Sequence, residues 1–226
     1  MTPGIRQVKV KSPVMKRNDE AADRNRALFR KSNLLCVNIM SSPGAGKTTL
    51  LERLAEKLGP RLAVIEGDVQ TRRDAERIEK AGAFAYQIET GGSCHLDAEG
   101  ISTALAEMAP FKDSWEFLVI ENVGNLICPG GFYLGEHLTA GMLSLPEGDD
   151  KVMKYPGLFS KIDLFILNKM DLLKHLRFDP DRAEEECRSI NPRVSTLRVS
   201  AETSEGMDHL VAFLEKERKS MIEGAL

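Results

Sequence analysis

The chain has few cysteines: Cys36, Cys94, Cys128 and Cys187 are scattered through 226 residues without a paired framework. That spacing excludes a disulfide-stapled scaffold and leaves each thiol as a buried filler, a metal ligand or a reactive group. Cys36, inside the apolar run "LLCVNIM", and Cys187, after "EEE" on a predicted helix, read as packing residues. Excess charge of either sign is also missing. Lys and Arg total 31 against 34 Asp and Glu, a formal net charge of −3 with the signs interspersed, so nothing favours wrapping nucleic acid or adhering to an anionic membrane. No apolar run approaches the roughly 20 residues of a membrane span, and residues 1–31 are too polar for a signal peptide. The expected location is cytoplasmic. There is no repeat and no low-complexity tract.

What is present is an alternation. Short β-rich apolar runs, "LLCVNIM", "RLAVIEG", "AFAYQI", "EFLVIEN", "DLFILNK" and "VSTLRVS", are separated by segments with helical spacing at 47–58, 72–81, 96–108, 179–190 and 207–221. "HLTAGMLSLPEG" offers one further strand. Buried strands separated by helices predict an α/β fold: a mostly parallel central sheet covered by helices on both faces. The length suits one such domain. Residues 1–32, with a helical stretch at 18–30, read as an N-terminal arm packed on a domain spanning 33–226.

"VNIMSSPGAGKTTLLERL" has the order of a P-loop, an apolar strand, a Gly-rich turn and Lys-Thr opening a helix. Gly44, Ala45, Gly46, Lys47, Thr48 and Thr49 are the expected phosphate binders. The glycines let N–H groups face phosphate oxygens, Lys47 reaches the β/γ-phosphates, and the Thr48 hydroxyl binds Mg²⁺. Ser41 stands where the first glycine is usual. Further along, "FILNKMD" ends a strand in Asn168, Lys169 and Asp171. A carboxylate at Asp171 accepts both N1–H and N2–H₂ of guanine, a donor pair that adenine lacks, so the nucleotide read is GTP. Lys169 lays its methylene stem along the base and Asn168 braces the loop. "VSAETSEG" offers Ser200 and the Ala201 N–H to the guanine O6. Asp68 or Asp74, in "EGDVQTRRDAERI", and Glu121, in "VIENVGN", are the acids for catalysis, with Asp74 also a candidate ligand for Mg²⁺. Spacing leaves open which does what, and Asp74 equally reads as a first-turn acid on a helix dipole.

"ETGGSCHLDAEG" places Cys94 beside His95 at a strand end, and Cys128 lies 34 residues on, about one strand-helix unit. Two readings stay open on residues alone. The three converge on a thiophilic divalent ion, Zn²⁺ or Ni²⁺, or the cysteines are small loop residues and His95 caps the following helix.

From Ser32 onward the blocks "SSPGAGKTTL", "EGDVQTRRDAERI", "TGGSCHLDA", "ENVGNLICP", "LNKMDLL" and "SAETSEGMD" occur in the order in which they occur in the HypB family of hydrogenase-maturation GTPases, which the chain resembles. The resemblance implies a P-loop NTPase of the SIMIBI branch, which includes the signal-recognition and MinD proteins. It also implies a GTPase that forms a homodimer with GTP and helps deliver nickel to [NiFe]-hydrogenase, and with no arginine finger evident its intrinsic turnover is expected to be slow. Its partners would be a second nickel chaperone and the hydrogenase large subunit. It assigns Cys94, His95 and Cys128 as ligands for Ni²⁺ or Zn²⁺. Neither the Cys-x-x-Cys-Gly-Cys motif nor the His-rich tract of some members occurs here. The rivals are a urease accessory GTPase of the UreG family, whose Cys-Pro-His motif is not matched, and a P-loop kinase, which has no use for "NKMD". A non-catalytic metal-binding module is the third.

Overall fold

The computed structural model describes residues 13–68, 73–91, 95–109, 114–126 and 131–224, with Pro13, Val14 and Asp68 known by their main chain only. Among the described residues seven strands form one sheet: β1 (Leu35–Ser41), β2 (Leu62–Asp68), β3 (Phe84–Glu89), β4 (Phe117–Glu121), β5 (Leu138–Ser144), β6 (Leu164–Asn168) and β7 (Ser195–Arg198). Their order is β3-β2-β4-β1-β5-β6-β7, and every pairing is parallel. Because β1 is central and successive connections leave it in opposite directions, the crevice beyond its C-terminal end is the switch point where α/β sheets bind ligands.

The helices are α1 (Pro13–Lys31), α2 (Lys47–Leu58), α3 (Arg73–Lys80), α4 (Ala98–Met108), the one-turn α5 (Lys151–Lys154) and α6 (Pro156–Phe159), α7 (Pro180–Ile190) and α8 (Met207–Ile222). Strand residues alternate between two buried faces. Leu35, Val37 and Ile39 pack with Leu50 and Leu54 of α2 and Leu210 and Leu214 of α8. Cys36, Ile65 and Ile120 face α4 and Phe29 of α1, while Phe165 and Leu167 face Ala183 and Cys187 of α7. Both faces are covered, so the strands read as continuous apolar runs. Cys36 and Cys187 are fully buried, and burial raises both thiols, that of Cys187 to about 12. Neither is a reactive group.

Two helix starts differ from the sequence reading by more than one residue. The first helix begins at Pro13, five residues before the expected start at Asn18. Asn18 has the side chain of an N-cap but serves a different helix: its Oδ1 accepts from the N–H of Ala98, the first residue of α4, and its Nδ2 donates to the Tyr133 carbonyl. α4 begins at Ala98, two residues after the expected start at Leu96, because Asp97 is its cap and accepts from Gly100 N at 2.7 Å. His95 is therefore not the cap.

Beside β1 lies a buried polar knot. His137 extends the β1–β5 ladder by one residue, its N–H donating to the Cys36 carbonyl and its Nδ1 accepting from Cys36 N. Burial, with Arg26 and Arg30 nearby, lowers the His137 pKa to about 3. Between that value and the roughly 6.5 of an unfolded histidine, only the unfolded chain takes up the proton, so stability falls as pH drops below about 6.5. Neighbouring Glu136 is shifted up by burial and acts in the opposite sense. A His137→Asn variant keeps Glu136 and removes the imidazole. Urea unfolding at pH 7 and pH 5.5 is expected to show wild type losing on the order of 1 kcal/mol more than the variant; parallel losses would refute the assignment.

Candidate functional site: a nucleotide cleft at the switch point

The chain leaves β1 at Ser41, turns through Pro43 to Gly46 and enters α2 at Lys47. Gly46 caps α2 with φ 94°, a left-handed conformation, and a Cβ there would lie 2.7 Å from Asn168 Nδ2, so only glycine fits. Lys47 is 8% exposed, and its Nζ donates to Ser41 Oγ at 2.8 Å while that hydroxyl donates to the Ser42 carbonyl. The unusual Ser41 thus gives the lysine an acceptor inside the loop. Burial lowers the Lys47 pKa, opposed by Glu121, Glu147 and Asp74.

A cleft of about 630 Å³ opens over this loop, lined by Lys47, Thr48, Thr49 and Lys169 and by acids from three elements. Glu66 of β2 and Glu121 of β4 are register partners and reach the cleft together; Asp74 enters from the first turn of α3. Glu66, 2% exposed, was not singled out from the sequence, although "EGD" puts it two residues before Asp68. The Asp68 side chain lies outside the described residues. Arg77 and Asn122 also line the cleft unanticipated. The Arg77 guanidinium pairs with Glu52 at 2.6 Å and lies 3.5 Å from Asp74 Oδ1 and Thr49 Oγ1.

At the other end, Asn168 is 1% exposed and joins two loops, donating from Nδ2 to the Ala45 carbonyl and accepting from Ala201 N at 3.1 Å. The Ala201 N–H, expected at the guanine O6, here donates to the buried Asn168 carboxamide. Lys169, at φ 64°, crosses the phosphate loop and donates to the Gly44 carbonyl. Ser200 Oγ accepts from Thr203 N, so its own proton goes to Asp171 Oδ1 at 2.6 Å. Asn168, Lys169, Asp171, Ser200 and Ala201 are therefore one hydrogen-bonded unit tied to the phosphate loop.

The metal-ligand candidates divide. His95 is half-buried and stacks on Phe132, ring centroids 3.9 Å apart. Cys94 and Cys128 lie outside the described residues, and among the described residues no three His, Cys, Asp or Glu side chains form a metal cluster.

An all-parallel sheet that brings a Gly-rich phosphate loop and an Asn-Lys-x-Asp loop to one edge defines a class, the P-loop GTPases. The family model "CobW/HypB/UreG, nucleotide-binding domain" matches residues 35–198. The hydrogenase maturation factor HypB of Azotobacter vinelandii is 44% identical over 99% of this chain and 75% of its own. A crystal structure of HypB from Helicobacter pylori in complex with nickel superposes with a TM-score of 0.86 at 38% identity, covering 90% of this chain and 96% of that one. The chain belongs to the HypB family of hydrogenase maturation factors. At the level of fold alone, the signal recognition particle 54 kDa protein of Aeropyrum pernix is similar, with a TM-score of 0.58 at 17% identity. No helix among the described residues is long and apolar enough to cross a membrane.

Proposed function

We propose that the protein is a GTP-hydrolysing metallochaperone whose nucleotide cycle opens and closes a Cys94–His95–Cys128 site for Ni²⁺ or Zn²⁺, serving [NiFe]-hydrogenase maturation. The observation that carries the guanine reading is the Asp171–Ser200 pair held on the phosphate loop through Asn168. The Thr48 hydroxyl and the Asp74 carboxylate, which both line the cleft, are oxygen donors of the kind Mg²⁺ takes and are the residues that would hold it beside the phosphates. When bound, Mg²⁺ neutralises charge on the β- and γ-phosphate oxygens. Lys47 holds the same oxygens, Asp68 and Asp74 order on the γ-phosphate, and Arg77 fixes α3 against α2. Two chains then close across the cleft. A second nickel chaperone and the hydrogenase large subunit are the proposed donor and acceptor of metal, and the nickel-bound relative from Helicobacter pylori supports the cargo.

Light scattering of the full chain is expected to report a dimer with a non-hydrolysable GTP analogue and a monomer with GDP, while a phosphate-release assay shows hydrolysis of GTP and not ATP. Titrated Ni²⁺ and Zn²⁺ should bind with affinities that differ between the two nucleotide forms by a factor on the order of 5 to 150. Cys94→Ala and Cys128→Ala should each abolish that high-affinity binding and leave GDP affinity intact. Equal metal affinity in wild type and both variants would refute the metal site.

A further inference from the structure

The residue after His95 packs behind the cleft wall. Leu96 is 3% exposed, and its side chain is seated over Gly67: a Cβ at Gly67 would lie 2.8 Å from Leu96 Cγ and about as close to both its methyls. Gly67 lines the nucleotide cleft beside Glu66. The main chain of Leu96 is held independently. Its N–H donates to Asn122 Oδ1 at 3.3 Å, the oxygen that also accepts from Val123 N at 3.0 Å. Asn122 follows Glu121, is 1% exposed, and is oriented through Nδ2 by Asn38 Oδ1. Asn122, Val123 and Gly124 all line the cleft, and a Cβ on Gly124 would lie 3.2 Å from Pro43 of the phosphate loop.

Leu96 is thus attached by its side chain to the end of β2 and by its main chain to the loop after β4, two elements that carry the cleft acids. On its C-terminal side, the start of α4 is fixed to α1 through Asn18. A close-packed contact of this kind transmits a displacement instead of absorbing it. We propose that Leu96 is a positioning residue that carries the state of the nucleotide cleft to the His95 imidazole. Phosphate oxygens entering the cleft repel the Glu66 carboxylate and press on the loop at 122–124, which displaces both of its anchors, and the adjacent residue turns with it against Phe132. The consequence for metal holding rests on the proposed function; the movement of the imidazole does not.

The test uses the metal-free full chain. The chain has four histidines, so the His95 ring signal in the NMR spectrum is assigned by its loss in His95→Gln. In wild type this signal is expected to differ between the GDP form and the form with a non-hydrolysable GTP analogue. In Leu96→Ala the difference collapses, and the ratio of Ni²⁺ affinities between the two forms falls to within about twofold of unity. Leu105→Ala, an equal truncation of a buried residue on α4, keeps the difference. If Leu96→Ala does not fold, Leu96→Val replaces it, with the difference reduced. A full wild-type difference in either Leu96 variant, an equal loss in Leu105→Ala, or no difference in wild type each overturns the link. A His95 difference that Leu96→Ala removes, in a protein that binds no metal, supports the link while refuting the metal site.

Discussion

Lys47→Ala is expected to lower GTP turnover by about 10²- to 10³-fold or more, since it removes the buried cation aimed at the phosphates. The fold is expected to survive the change. Lys47 opens α2, where alanine is the residue best suited to a helix. Its pKa is lowered chiefly by desolvation, so holding the ammonium in the nucleotide-free protein costs free energy that the variant no longer bears. The Ser41 hydroxyl keeps the Ser42 carbonyl as a partner. A thermal melt of the nucleotide-free variant at or above the wild-type midpoint, together with lost phosphate release, is the expected pair of results. Turnover within tenfold of wild type in a folded variant would refute the assignment of the loop.

The second large effect is a change of base. Asp171→Asn is expected to weaken GTP by two orders of magnitude or more and to strengthen binding of xanthosine triphosphate, read out by competition against a labelled GDP. Ser200 determines the direction. Its proton is committed to position 171 because its oxygen already accepts from Thr203 N. In the variant that hydroxyl keeps the amide oxygen as its acceptor, which leaves the NH₂ where the second carboxylate oxygen stood. An NH₂ there opposes the guanine N2–H₂ and suits the xanthine carbonyl. A site built on such hydrogen bonds discriminates by orders of magnitude when a partner is left unpaired. Undiminished GTP affinity in the variant would refute guanine recognition at Asp171.

Much of the molecule was legible because the relevant chemistry is local in the chain. A phosphate loop needs its glycines, lysine and threonine within a few residues of a strand end, and "SSPGAGKTTL" carries them. The strand at 138–144, suggested by "HLTAGMLSLPEG", is the inner strand β5, and the sheet proved wholly parallel where a mostly parallel one was expected. The role of Asn18 was not legible, because its acceptor serves a helix eighty residues away. Glu66 was passed over because its place beside Glu121 depends on the register of β2 with β4.

By itself, then, the sequence determined the α/β alternation, the phosphate loop, the guanine motif and the family, all of which depend on residue types at short spacing that backbone geometry makes obligatory. Tertiary structure alone decided the strand order, the pairing of Glu66 with Glu121, the bracing of Asn168 between two loops, and the seat of Leu96 over Gly67. Those contacts join residues dozens to more than a hundred positions apart. Their physical cause is which strands lie side by side and in what register, and a register leaves no mark in either strand read alone, because the same alternation of side chains fits several neighbours.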